Sequence, residues 1–318
     1  MGVLRRGVLY AVGSALSAGT LATFHCQNEG KQAGSPSSET AMADDSYYVD
    51  PTEDVAGIQR VIDDHGPNVT VQLGSGEYTG SGLTLDDGVH LRGLGRNATT
   101  VRLADDADAD LVVTPDVNRE SVSQPLFRNV TFDGNRENNS AGDVVYGAFW
   151  NGRFVDCDFV SAANNGFWLA GSDGASTDDN SFRGCRFIDC AGDGLKQGLN
   201  RTDGPALGVS RVESCWFGGN GGRAVRVRGN GNIVANCKFY DNRGIDVFVD
   251  RGTRNMVLNN DLAKSTAENP CVAVRAGAAS TRRRIACTVT SSTAAFATPC
   301  TVSRMGTPSS GYRCTTTT

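Results

Sequence analysis

A short phrase recurs along the middle of the chain, and its spacing restricts the fold more than any other feature. In the copy Val234-Ala-Asn-Cys237-Lys-Phe239-Tyr-Asp-Asn-Arg-Gly244-Ile245-Asp-Val247-Phe-Val249, two strand-like pieces flank an Asn/Asp/Gly turn. An apolar residue is followed three positions later by a small or apolar one, and two after that by an aromatic or aliphatic one. The triplets are Phe127/Val130/Phe132, Phe154/Cys157/Phe159, Phe182/Cys185/Phe187, Val212/Cys215/Phe217, Val234/Cys237/Phe239 and Val257/Asn260/Leu262. They start 27, 28, 30, 22 and 23 residues apart. Repeats of about 20–50 residues signal a solenoid, in which each unit buries its apolar face only by stacking on its neighbours. Within a copy the apolar residues alternate, which is the period of a strand and not of a helix. Strands separated by Gly/Asn turns at this interval predict an all-β parallel β-helix. A leucine-rich repeat would need a leucine ladder that the chain lacks.

Composition agrees with a turn-rich β-fold, since the 318 residues include 39 glycines. Only four lysines occur (Lys31, Lys196, Lys238 and Lys264), against 26 arginines. The net charge of −5 conceals an asymmetry: residues 1–263 carry 34 acids and 23 bases, whereas 264–318 carry one acid and seven bases. An acidic, lysine-poor body fits a protein adapted to high salt, and a GC-rich genome would give the same arginine bias. It argues against nucleic acid as the partner.

Four segments are predicted. Residues 1–26 read as an export signal: Arg5-Arg6 precede the apolar run Gly7 to Ala22, which is too short and too rich in Gly and Ser for a membrane span. The paired arginines resemble a twin-arginine signal, and an ordinary secretory signal shares the basic start. A secreted or cell-surface location follows. Residues 27–48 read as a disordered linker, and 49–279 as the β-helix. Val55, Ile58, Val61 and Ile62 share one face of a short helix that Gly66-Pro67 ends, placed to plug the open end of the solenoid. Residues 280–318 lose the repeat. Their 17 Ser/Thr, three cysteines and absence of acids suit either a disordered stalk or an aberrant tail.

The predicted helix, Val69-Thr-Val-Gln-Leu73, Gly76-Glu77-Tyr78, Leu83-Thr-Leu85 and Gly88-Val-His-Leu-Arg92-Gly93-Leu-Gly95-Arg96 resemble the opening of the pectate-lyase-like (pectin-lyase-like) superfamily. The triplets from Phe127 to Leu262 are similar to its parallel β-helix repeats. The resemblance spans residues 50–263 and implies a right-handed parallel β-helix. It implies less about activity, because that superfamily mixes polysaccharide lyases, glycoside hydrolases, epimerases, esterases, tailspikes and catalytically silent proteins.

Cys157, Cys185, Cys215 and Cys237 occupy one position in four successive repeats. Metal binding would want paired C-x-x-C spacings with histidine support, and no histidine follows His90. Stacked side chains also point in parallel, which is poor geometry for disulfides. A column of small buried hydrophobes is predicted, and no metal site.

Alternation also assigns faces to the second strand of each repeat. With Phe167/Leu169, Leu195, Val225/Val227 and Ile245/Val247 pointing inward, Trp168, Lys196, Arg226 and Asp246 should form an outward column. Arg228 and Phe248 lie one pleat further on, and Asp193 and Arg223 sit just before the strands. Aromatic and charged groups on a flat face suit a polysaccharide, with Trp168, Arg228, Phe248 and Arg223 as contacts. Two chemistries are open. In β-elimination from a uronate polymer, Lys196 or Arg226 would remove the proton next to the carboxylate, and a cation, either Arg/Lys or calcium, would stabilise the enolate. In glycoside hydrolysis, Asp193 and Asp246 would flank the bond, two repeats or roughly 9–10 Å apart. A non-catalytic carbohydrate-binding or adhesion surface is the rival, and a solvated sheet face with cross-strand ion pairs makes no demand for any ligand.

Overall fold

The computed structural model describes residues 46–171, 175, 177–199, 209–263 and 271–275, and the backbone of 285–290, 302–305 and 312–317. The export-signal reading, residues 27–45 of the linker reading and most of residues 280–318 lie outside the described residues. Two boundaries differ from expectation. Ser46–Val49 is a strand that pairs in parallel with Thr70–Leu73, so the solenoid begins before residue 49. Backbone strands at Ile285–Thr290, Val302–Met305 and Tyr312–Thr317 extend the sheets into the segment where the side-chain repeat has gone.

The chain winds through about eight turns of a parallel β-solenoid with a single short helix. Three strand stacks form its walls. The first runs from Ser46–Val49 through His90–Arg92, Leu126–Arg128, Arg153–Val155, Asn180–Arg183 and Ser210–Glu213 to Ile233–Ala235 and beyond. The second runs from Gly76–Gly80 through Thr99–Leu103, Thr131–Asp133, Asp158–Val160 and Arg186–Ile188 to Trp216–Gly218 and Lys238–Tyr240. Met256–Ala263 joins these two stacks, because its first half pairs with Ile233–Ala235 and its second with Lys238–Tyr240. The third is a nine-stranded sheet that includes Val145–Gly147, Phe167–Gly171, Leu195–Leu199, Val225–Arg228, Val247–Asp250 and Val272–Arg275.

The corner between the first two stacks explains the triplet. One residue there takes a left-handed backbone: Asn129 (φ 58°), Asp156 (52°), Gly184 (65°), Ser214 (55°), Asn236 (55°) and Asn259 (52°). Asn, Asp and Gly accept that conformation most cheaply. At Gly184 the demand is also steric, since a Cβ would lie 2.3 Å from Asp156 Oδ1 of the neighbouring coil. The next residue turns inward, and there stand Val130, Cys157, Cys185, Cys215 and Cys237, all buried and the cysteines free. Each thiol donates to backbone carbonyls, as Cys185 Sγ does to Phe154 O at 3.3 Å. Asn260 ends the column, its side-chain oxygen accepting from Cys237 N at 2.9 Å and its amide donating to Val234 O at 2.9 Å.

Inside, like residues stack. Phe159, Phe187, Phe217 and Phe239 form a file with ring centroids 5.2, 4.8 and 5.0 Å apart. At the following corner Asn220 and Asn242 repeat an amide ladder: Asn242 Nδ2 donates to Phe217 O at 3.1 Å, and Asn220 Nδ2 donates to Phe187 O at 3.0 Å and to Asn242 Oδ1 at 2.9 Å. The ladder satisfies buried carbonyls that the turning chain leaves without strand partners.

The helix, Asp54–His65, buries Val55, Ile58 and Ile62 against the first strands, and Val61 is partly buried on the same face. Asp50 caps the preceding 3-10 turn by accepting from Thr52 N at 3.0 Å. No helix among the described residues is long and apolar enough to cross a membrane.

Two outcomes are expected. Phe217→Ala should cost about 3–5 kcal/mol and Asn242→Ala about 1–3 kcal/mol in chemical denaturation, the first as a cavity, the second as unsatisfied carbonyls. All four ladder thiols are sealed from solvent, and burial holds those of Cys157 and Cys215 well above the usual range, so a thiol reagent at pH 8 should leave the four cysteines unlabelled until denaturant is added. Site-by-site mass spectrometry reads this.

Candidate functional site

The third sheet carries the outward column. Register aligns Tyr146 with Trp168, Trp168 with Lys196, Lys196 with Arg226, Arg226 with Phe248 and Phe248 with Ala273. Alternation within each strand sends these side chains out while Phe167, Leu195, Val225 and Val247 enter the core. Trp168, Lys196 and Arg226 are thus neighbours, as the sequence pattern predicts.

Asp246 is not in the column, and Phe248 takes the place assigned to it. The strand begins at Val247, and Val225 N donates to Asp246 O at 2.9 Å, which aligns Asp246 with Ala224 and Gly194 ahead of the sheet. Alternation does not hold in the turn before a strand, so Ile245 lies outside, against Phe248 and Ala273, and not in the core. Asp246 is fully buried, its Oδ1 accepting from Asn242 Nδ2 at 3.2 Å. Arg228 keeps the parity of Arg226 and the register of Asp250 but is buried, not exposed, and its backbone amide faces Gln197 Oε1 at 3.4 Å.

Asp193 belongs to another ladder. Its Oδ1 accepts from Arg223 N at 2.7 Å, while its own amide donates to Asn165 Oδ1 at 3.0 Å. Asn165 N in turn donates to Asp143 Oδ1 at 2.7 Å, and Asp143 N to Asp110 Oδ1 at 2.7 Å. Each side-chain oxygen therefore pins the backbone of the next coil. With Asp193 in this ladder and Asp246 buried, the two carboxylates do not face a common open surface, which counts against the hydrolase pairing.

Around the column the charges interlock. Lys196 Nζ lies 3.3 Å from the centroid of the Trp168 ring, which also meets Tyr146 edge to face at 5.1 Å and donates from Nε1 to Gly198 O at 3.3 Å. Burial lowers the Lys196 pKa against the pull of Asp193 and Asp143, with Arg226 and Arg223 pushing the same way as burial. Arg226 Nε donates to Asp250 Oδ2 at 3.1 Å and Arg275 Nε to Asp250 Oδ1 at 2.6 Å. Burial works to raise the Asp250 carboxyl, but the two guanidiniums outweigh it and hold it below the usual range. Arg223 sits with its guanidinium carbon 4.7 Å from the Phe248 ring and 3.5 Å, nitrogen to oxygen, from Asp193. Asp193, Gly222, Arg223, Gly244 and Ile245 line a shallow depression of about 250 Å³ beside the column. Tyr146, Asp250 and Arg275 escaped the sequence reading, although the alternation of Val247-Phe-Val-Asp250, extended by one residue, points to Asp250.

Among the described residues, no group of three or more His, Cys, Asp or Glu is arranged to hold a metal ion. The calcium reading therefore has no ligand set within them.

No family model matches the sequence, and no curated protein matches it. Solved structures match it in shape. DFA-IIIase from Arthrobacter chlorophenolicus A6, in complex with GF2, superposes with a TM-score of 0.58 at 17% identity, over 78% of this chain and 71% of that one. The A-module of the mannuronan C-5 epimerase AlgE4 from Azotobacter vinelandii gives 0.52 at 18% identity, over 84% and 94%. ORF18 of Geobacillus virus E2 gives 0.57 at 16% identity, over 77% and 52%, so the chain spans about half of that viral protein. The chain has the pectate-lyase-like right-handed parallel β-helix fold. At such identities the likeness is one of fold.

The Asp143 ladder generates a stability prediction. Burial pushes its carboxyl up to about 6, with Asp110 adding to the shift. A group raised on folding contributes stability below its unfolded pKa and loses it as pH climbs through the folded value. Asp143→Asn, which copies Asn165 one coil on, should therefore stabilise the fold by about 1–2 kcal/mol at pH 8. The gain should vanish near pH 4, as denaturation midpoints at the two pH values would reveal.

Proposed function

We propose that the chain acts on a polysaccharide at the third-sheet face, by β-elimination from a uronate-containing polymer. The observation that carries the reading is Lys196: a half-buried amine with a lowered pKa, fixed against Trp168 and flanked by Arg226 and Arg223. A neutral lysine there can take the proton from the carbon beside the uronate carboxylate. The electron pair left behind forms the new double bond as the glycosidic oxygen departs and is protonated by water. Arg223, at the edge of the depression, is placed to stabilise the carboxylate as it becomes an enolate. That the fold is shared with a mannuronan C-5 epimerase and a DFA-IIIase supports a glycan as substrate. Export to the cell surface, by a twin-arginine or an ordinary signal, would bring the protein to such a polymer.

A second reading, glycan binding without catalysis, draws on the same geometry. Lys196 covers a face of Trp168, and Asp250 neutralises Arg226, so the column is already well satisfied.

Incubation with polyuronates should raise the ultraviolet absorbance of unsaturated ends, and Lys196→Ala should reduce that rate by about 10²–10⁴-fold. The wild-type rate should climb with pH through a limb below the ordinary lysine value of 10.5, and the variant should lack that limb. No absorbance change on any uronate polymer, with binding retained, would leave the non-catalytic reading in place.

A further inference from the structure

The first sheet presents a different kind of face. Its outward positions carry Arg128, Arg153, Arg183 and Arg211 on four consecutive strands, all exposed. Register places Arg128 opposite Val155 and Arg153 opposite Ser181, so the arginines step from one outward column to the other along the axis. Neighbouring members are offset by about 4.8 Å across the strands and about 6.6 Å along them. Arg92 precedes the series, aligned with Arg128. Three of these charges, Arg128, Arg153 and Arg183, are not interlocked as charges elsewhere are. Arg186 pairs with Asp158, Arg102 with Asp133, and Arg226 and Arg275 with Asp250. Arg211 has only Glu213 on its own strand, at 3.3 Å. Arg128, Arg153 and Arg183 meet no carboxylate among the described residues.

A zigzag in which three guanidiniums, those of Arg128, Arg153 and Arg183, meet no carboxylate among the described residues costs self-repulsion and offers no folding gain, in a chain whose net charge is −5. We infer that it is a second glycan-binding surface, which holds an anionic polysaccharide along the solenoid axis, one acidic group per arginine. Guanidinium forks match carboxylates in bidentate fashion, and repeating acids on a sugar chain meet repeating arginines on a sheet. A single-stranded nucleic acid fits less well: such sites stack bases on aromatic side chains, and the outward positions between the arginines are Leu126, Val155, Ser181, Ile233 and, opposite Arg183, Glu213. The surface lies on another wall from Lys196, and the inference does not need catalysis there.

Arginine-specific dicarbonyl labelling of the full chain, read by mass spectrometry, tests it. Polygalacturonate at low salt should reduce labelling of Arg128, Arg153 and Arg183 several-fold, high salt should restore it, and neutral dextran should have no effect. The triple variant Arg128→Ser/Arg153→Ser/Arg183→Ser should bind polygalacturonate at least tenfold more weakly. Unchanged labelling, or an unchanged affinity in the variant, would overturn the inference, and equal protection by single-stranded DNA would reassign the surface to nucleic acid. The readout requires no turnover, so it stands or falls separately from the elimination reaction.

Discussion

Every coil depends on a corner that a polypeptide resists making. Between the first and second walls the backbone must enter a left-handed conformation at one residue and then drive the following side chain into the core. Asn, Asp, Ser and Gly supply the first requirement, and a valine, a cysteine or the terminal Asn260 fills the second. With that corner in place, the flanking triplet residues face each other across the interior, and phenylalanines of successive coils fall into file. The amide ladder at the next corner is a consequence: a chain that turns sharply inside its own core exposes carbonyls that only a stacked amide can reach. Register along the axis therefore comes from small polar residues at the corners as much as from the apolar core.

Much of this was legible beforehand because it is periodic. The interval of the triplets, the alternation around them and the column of cysteines all follow from one rule applied repeatedly, and the walls and the buried thiols lie where that rule puts them. Three outward residues, Trp168, Lys196 and Arg226, were found the same way. Asp246 departs from the pattern for a local reason. Alternation predicts direction only within a strand, and the residues before Val247 belong to a turn, where an acidic side chain can be drawn inward by an amide such as that of Asn242. Arg228 shows that a correct register still leaves burial open. Ion pairs across coils, like those of Asp250, join residues 24 and 25 positions apart and have no local signature. In the final segment the side-chain pattern fails while backbone pairing persists, since the ladder joins main-chain N–H and C=O groups that every residue but proline carries.

The walls differ in how they spend their charge. On the third, cations are held by Asp250, Asp193 and two aromatic rings, which fixes their positions, while burial, with Arg226 and Arg223 adding to it, lowers the basicity of Lys196. Such an arrangement favours a defined local geometry over reach. On the first, Arg128, Arg153 and Arg183 meet no carboxylate among the described residues and are open to water or to an external anion. An acidic protein that leaves one strip basic is electrostatically polarised, and an approaching polyanion would be turned toward that strip before any contact forms.

The cysteine column also has a consequence beyond packing. Cys157, Cys185, Cys215 and Cys237 sit one coil apart in equivalent surroundings, each sealed from solvent and each a potential electrophile trap once exposed. Because a solenoid is a one-dimensional array of nearest-neighbour contacts, its coils can open at different free energies. The relative rates at which these four thiols become accessible would report the opening free energy coil by coil. The molecule thus carries an internal gauge of where along its axis it begins to come apart.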